Sequence, residues 1–151
     1  MNEFEIIKKY LKPLAYKNSG ALELNDDIFF DHKKNIVVSV DTYVEGVHFL
    51  YSKNPELFLK KILRATLSDI YAKGVKPKKY FLSFSVKKNL INKLWLSKVR
   101  QILFSEQKKY GISISGGDIT KSSQFIITIV VLGYPKFKPI LRKGAKKKYD
   151  I

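Results

Sequence analysis

Ile36-Val37-Val38-Ser39-Val40-Asp41 is the stretch on which the fold turns. Its β-branched and apolar residues predict a buried strand, and that strand runs directly into a carboxylate. Beyond it, Asn54-Pro55 has the form of a helix start, an N-cap followed by proline at the first helical position. Leu59, Ile62, Leu63, Thr66 and Ile70 then recur on one side at helical spacing, and Gly74 supplies a left-handed stop. Tyr80 to Val86 predicts a second strand. Asn89 is placed to cap a second long helix, with Leu94, Val99, Leu103 and Tyr110 in its inner stripe and Gly111 at its end. Ile112 to Ser115 predicts a short strand that delivers Gly116-Gly117-Asp118, and Phe125 to Leu132 a long apolar one. Before the opening stretch, Phe4, Ile7, Leu11 and Leu14 predict a short amphipathic helix limited by Pro13. The order is an N-terminal helix and then β-α-β-α-β-β. The expected fold is therefore α+β, a two-layer sandwich with a four-stranded mixed sheet.

Composition bounds what such a domain can do. A chain of 151 residues suggests one domain, long enough to bury a core without covalent staples. There is no cysteine, which excludes disulfides, thiolate metal sites and a Cys/His nucleophile. No segment is long and apolar enough to span a bilayer. The opening MNEFEIIKKY carries acids and lacks the pattern of a signal peptide, so a cytoplasmic location without a membrane partner is expected. The formal net charge of +16 raises the question of nucleic acid. The excess is mostly lysine, in a chain also rich in isoleucine and asparagine, and lysines spread over solvated faces need no partner. No nucleic-acid partner is expected.

With only 13 acids, their placement is informative. Asp26 and Asp27 precede Ile28-Phe29-Phe30, Asp41 follows a strand, Asp69 lies in the first long helix, and Asp118 follows two glycines. Converging carboxylates repel by about 3 kcal/mol per pair at ~5 Å and an effective dielectric of ~20, so a cluster needs cations or protons. Oxygen-only ligands favour a hard cation such as magnesium. Taken singly, each of these acids is better read as a cap or turn residue. Gly116-Gly117-Asp118 has the form of a loop that lets backbone N–H groups approach a phosphate, although such turns are common. Neither a Walker A motif nor GxGxxG is present, so neither a P-loop nor a dinucleotide fold is indicated. Arg142, in a basic tail with Lys136, Lys138, Lys143, Lys146, Lys147 and Lys148, either neutralises phosphates or is solvated. His48 is a lone histidine, a residue more often structural than functional.

In order and spacing these segments resemble the thiamine-monophosphate kinases, relatives of aminoimidazole ribonucleotide synthetase and selenophosphate synthetase. The resemblance rests on Glu3-Phe4-Glu5-Ile6-Ile7, Asn25-Asp26-Asp27 and Ser39-Val40-Asp41-Thr42-Tyr43-Val44-Glu45-Gly46-Val47-His48-Phe49. It continues in Leu67-Ser68-Asp69-Ile70-Tyr71-Ala72-Lys73-Gly74, Gly116-Gly117-Asp118-Ile119-Thr120-Lys121-Ser122 and Leu141-Arg142-Lys143-Gly144. It implies transfer of the ATP γ-phosphoryl group to thiamine monophosphate, giving thiamine diphosphate. It implies Mg2+ held by Asp27, Ser39, Asp41, Asp69 and Asp118, with Val40 able to offer only its backbone carbonyl. Gly117, Asp118 and Arg142 are implied to meet ATP, and His48 the thiamine monophosphate. No catalytic side chain is implied, because phosphoryl transfer is mostly positioning and charge neutralisation. The family also implies a homodimer through the N-terminal sheets. Residues 1–135 are expected to form the ATP- and magnesium-binding, dimerising domain. Residues 136–151 are expected to be a basic linker leading to a C-terminal domain outside these 151 residues, without which little kinase activity is expected. The pattern departs at Asn25 (family glycine), Val40 (threonine), Lys73 (methionine) and Lys143 (serine). A reactive cysteine or selenocysteine, expected of a selenophosphate synthetase, is absent.

Overall fold

The computed structural model describes residues 1–50 and 53–143, so the basic tail from residue 144 onward lies outside the described residues. The chain begins with α1, Glu3–Ile6, and continues through β1, Ile28–Asp31, and β2, Ile36–Val44. Helix α2, Leu59–Ala72, strand β3, Pro77–Val86, and helix α3, Lys93–Tyr110, follow. Strands β4, Ser113–Lys121, and β5, Ile126–Gly133, complete the order. The sheet has five strands in the order β1-β2-β5-β3-β4, antiparallel throughout except for the parallel pair β3–β4. This is the expected α+β architecture with one strand more than expected. Ile28-Phe29-Phe30-Asp31 is too short to announce itself by periodicity, and it exists because it pairs with Ile36 to Ser39.

Alternation along β2 and β5 builds the layers. Val37 and Ser39 are buried under the helices, while Val40 is 58% exposed on the opposite face. In β5, Ile127, Ile129 and Val131 are fully buried. Against them α2 lays Leu59, Ile62, Leu63, Leu67 and Ile70, and each such aliphatic side chain contributes about 2 kcal/mol by leaving water. Phe125 closes the far end of the core, ringed by Phe49, Phe58, Phe84 and Trp95.

Four expectations about local structure are corrected. The amphipathic N-terminal helix is one short turn of α-helix continued by π and 3-10 turns as far as Ala15. Its apolar residues are largely uncovered, with Phe4 73% and Leu14 81% exposed. Asn54 caps a 3-10 turn, Pro55–Leu57, and α2 starts after it. The cap of α3 is Asn92, whose side chain accepts from the Trp95 N–H at 2.9 Å, and Leu94 faces solvent while Trp95 takes the inner position. Gly116 and Gly117 do not form a loop but lie inside β4 with φ of 152° and 154°. A Cβ on Gly117 would fall on the Leu82 carbonyl, so the glycine is required by close approach of β4 to β3.

Candidate functional site

Three segments bring a carboxylate to the helix side of the sheet. Asp27 lies just before β1, Asp41 points from β2 toward the helices, and Asp69 comes from α2. Asp69 sits against Asp41, and its pKa is raised to about 6. Burial is the main cause, followed by the charges of Asp41 and Asp27 and the hydrogen bond with Asp41. A pair of this kind is held at neutral pH by a proton or a cation.

Two residues fix Asp41 and Asp27 in place. Tyr43 Oη donates to Asp41 Oδ2 at 3.0 Å and lies 3.0 Å from Thr66 Oγ1. Burial above all pushes the Tyr43 hydroxyl up to about 12, only partly offset by Thr66, and Asp41 reinforces the shift. Ser39 is buried, and its hydroxyl donates to the Asp27 carbonyl at 3.2 Å, tying the β1 entry to β2. Val40 presents its side chain to the other face of the sheet, which leaves only its backbone to face ligands.

Cations close the cluster from the chain's return. Arg142 Nη2 lies 2.8 Å from Asp27 Oδ1, and the Arg142 backbone N–H donates to Asp26 Oδ2 at 2.8 Å. Lys73, only 6% exposed, places its ammonium 2.7 Å from Asp26 Oδ1 and 3.9 Å from Asp27 Oδ2. Burial alone would raise the Asp26 carboxyl. The Lys73 hydrogen bond, the Arg142 and Asp27 N–H groups and the Lys73 charge outweigh it and hold Asp26 below the usual range. Asp26 is thus committed inside the protein, while the carboxylates of Asp27, Asp41 and Asp69 are less fully neutralised by cations.

His48 belongs to the same neighbourhood. It sits in the turn after β2, accepts from the Val44 N–H through Nδ1 at 3.0 Å, and packs edge-on against Tyr43 at 5.8 Å between centroids. Among the described residues, its Nε2 carries no hydrogen bond. Beside Asp26 opens a cavity of about 950 Å³ bordered by Lys8, Lys12, Tyr16, Lys17, Leu141 and Lys143.

Asp118 and Gly117 stand apart from this group. Asp118 pairs in register with Ser83 on β4, the edge of the sheet opposite β1. Its row runs through Ser83 and Thr128 to Thr42, three strand spacings or roughly 14 Å from β2. It also belongs to the sheet face turned away from the helices. Lys73 and Tyr43 are the members of the cluster that residue pattern alone does not assign. A lysine at a helix C-terminus reads as solvated, and a tyrosine in a strand reads as packing.

The donor chemistry of Asp27, Asp41 and Asp69 fits a hard divalent cation, since all of it is carboxylate oxygen. Among the described residues no three acids already stand at metal-ligand spacing. Asp27 is drawn toward Arg142, and a cation would recruit it toward the Asp41–Asp69 pair.

Comparison with known proteins places this geometry. Residues 18–134 match the family model described as AIR synthase related protein, N-terminal domain. The thiamine-monophosphate kinase of Buchnera aphidicola subsp. Schizaphis graminum is 33% identical over 154 aligned positions, covering 99% of this chain and 47% of that protein. That of Buchnera aphidicola subsp. Acyrthosiphon pisum is 36% identical, covering 95% and 45%. Among solved structures, AaThiL complexed with AMPPCP and TMP superposes with a TM-score of 0.81 at 26% identity, covering 95% of this chain and 45% of that one. Thiamine monophosphate kinase from Aquifex aeolicus gives a TM-score of 0.74 at 26% identity, with 97% and 48% covered. The chain spans about half the length of the curated relatives it matches.

Proposed function

The chain belongs to the family of AIR synthase related proteins, matching its N-terminal domain, and from that premise we propose that it is the nucleotide- and magnesium-binding half of a thiamine-monophosphate kinase. The observation that carries this reading is the approach of Asp27, Asp41 and Asp69 from three different elements, with Arg142 beside them. Mg2+ held by these acids, with Ser39 and the Val40 carbonyl at hand, would neutralise phosphate charge. The protein's own contribution is positioning. Arg142 exchanges its contact with Asp27 for phosphate oxygens when ATP binds. Lys8, Lys12, Lys17 and Lys143 give the adjoining cavity the charge that a phosphorylated substrate needs. His48 meets thiamine monophosphate with its free edge.

The γ-phosphoryl group of ATP passes to the phosphate of thiamine monophosphate, leaving ADP and thiamine diphosphate. Residues 1–135 serve as the binding domain, in a cytoplasmic enzyme. Gly117 and Asp118 engage the nucleotide and its metal from the far edge of the sheet. A homodimer is supported by the uncovered sheet face, which exposes Phe29, Val40 and Phe81, and by the edge strand β4 with Ile114 and Ile119 in solvent.

The test is calorimetric binding of a nonhydrolysable ATP analogue with Mg2+. The parent chain should bind in a magnesium-dependent manner, and Asp41→Asn and Asp118→Asn should each abolish it. If both variants bind like the parent, the metal assignment is wrong.

A further inference from the structure

Lys73 is an unusual occupant of a carboxylate cluster. Its ammonium is buried, 2.7 Å from Asp26 and 3.9 Å from Asp27, and its charge also reaches Asp69. It stands four residues after Asp69, one helical turn on, at the C-terminal cap of α2 where the helix dipole favours a cation. Its position is fixed from both ends. The Lys73 N–H donates to the Ile70 carbonyl, and its carbonyl accepts from the Ile140 N–H at 3.1 Å.

We infer that Lys73 is a built-in counter-ion of this cluster, a fixed charge that holds Asp26 and Asp27 in place without metal and weakens divalent-cation binding at Asp27, Asp41 and Asp69. The inference rests on reading those acids as a cation site. The physical argument is competition for the same carboxylates. A divalent ion seated between Asp27 and the Asp41–Asp69 pair lies within several ångströms of a buried ammonium that cannot swing out to water. At ~6 Å, even with effective dielectrics well above 20, the repulsion changes affinity by about tenfold or more. Asp26 in turn is saturated by Lys73 and by the N–H groups of Asp27 and Arg142, so it is not available to compensate. The chain therefore keeps its acids assembled at low metal concentration, at the expense of affinity when metal arrives.

The experiment uses the full 151-residue chain with Mn2+ as the probe, reading free Mn2+ by electron paramagnetic resonance and folding by thermal denaturation with and without the ion. Lys73→Met and Lys73→Gln are expected to bind Mn2+ about tenfold tighter than the parent. Lys73→Arg, which retains the charge, is expected to match the parent. The metal-free Lys73→Met chain should lose thermal stability and regain it with Mn2+. Lys73→Gln keeps a hydrogen-bond donor for Asp26 and decides the question if Lys73→Met does not fold even with Mn2+. Asp41→Asn separates the two levels of the argument. If Asp41→Asn abolishes Mn2+ binding while both neutral variants bind no tighter than the parent, the cation site stands and the role of Lys73 is overturned. If Asp41→Asn binds like the parent, the site itself is misassigned and the inference falls with it.

Discussion

A carboxyl on α2 with Asp41 and Asp27 facing it, Asp69 titrates at about 6 because burial and its neighbours' charges penalise ionisation. In the unfolded chain the same group ionises near about 4. Its folded pKa is the higher of the two. The stability linked to its protonation is therefore complete below about pH 4 and lost as pH rises through about 6. Asp69→Asn removes that penalty. In the metal-free chain at pH 7.5 the substitution should stabilise the fold by about 1–2 kcal/mol, after a discount for partial exposure, and the gain should shrink toward pH 4. Thermal denaturation across that range checks both the sign and the window. The scarcity of acids drew attention to these positions in the sequence, but only the family resemblance joined them into one site. Lys73 and Tyr43 were not, since nothing in a single residue says that a lysine at a helix end turns inward to meet Asp26. Asp118 was legible as a motif but not as a location, because register across β5 and β3 decides which edge it occupies.

The two long helices are held to each other by a contact that apolar periodicity cannot announce. Glu106, 2% exposed on α3, receives Arg64 of α2 through two hydrogen bonds of 2.7 Å each. The Arg64 hydrogen bond holds the Glu106 carboxyl below its usual range, against burial acting the other way, with help from the charges of Arg64 and nearby lysines. A depressed carboxylate stabilises above its unfolded pKa of about 4.3, and that stability is lost as pH falls through the folded value. Glu106→Gln should cost about 2 kcal/mol at pH 7, since the partner guanidinium keeps access to water, and should flatten the acid limb of the stability profile. Urea denaturation from pH 3 to 7 measures both. The strands show the same division between pattern and context. β2 and β5 could be read from their β-branched residues alone. β1 depended on its partner, and β4 contains the glycine pair that ordinarily signals a break.

At the scale of the whole molecule, the long helices among the described residues lie on one side of the sheet. Helices α2 and α3 close one face of the sheet, while the other carries Val40 and Phe81 in solvent and ends in a strand, β4, that is exposed along its length. If this face joins two copies, a charge placed on it should separate them without unfolding either. Val40→Lys is expected to shift the chain from dimer to monomer in sedimentation, with little change in helical circular dichroism. A parent chain that sediments as a monomer at tens of micromolar would contradict the dimer reading. Among the described residues no helix is long and apolar enough to cross a membrane.

The hydrogen bond from the Arg142 N–H to Asp26 joins residues 116 positions apart, and the Ile140 link to Lys73 runs alongside it. Contacts between such distant points form only after the intervening segments have collapsed, because closing a long loop costs entropy before it returns any energy. The sheet and its helices can assemble with those links still open. During synthesis, Asp26 waits 116 residues for Arg142 to be made. The pocket is therefore the last part of the domain to mature, and a nascent chain passes through a stage in which the scaffold is built and the binding site is not.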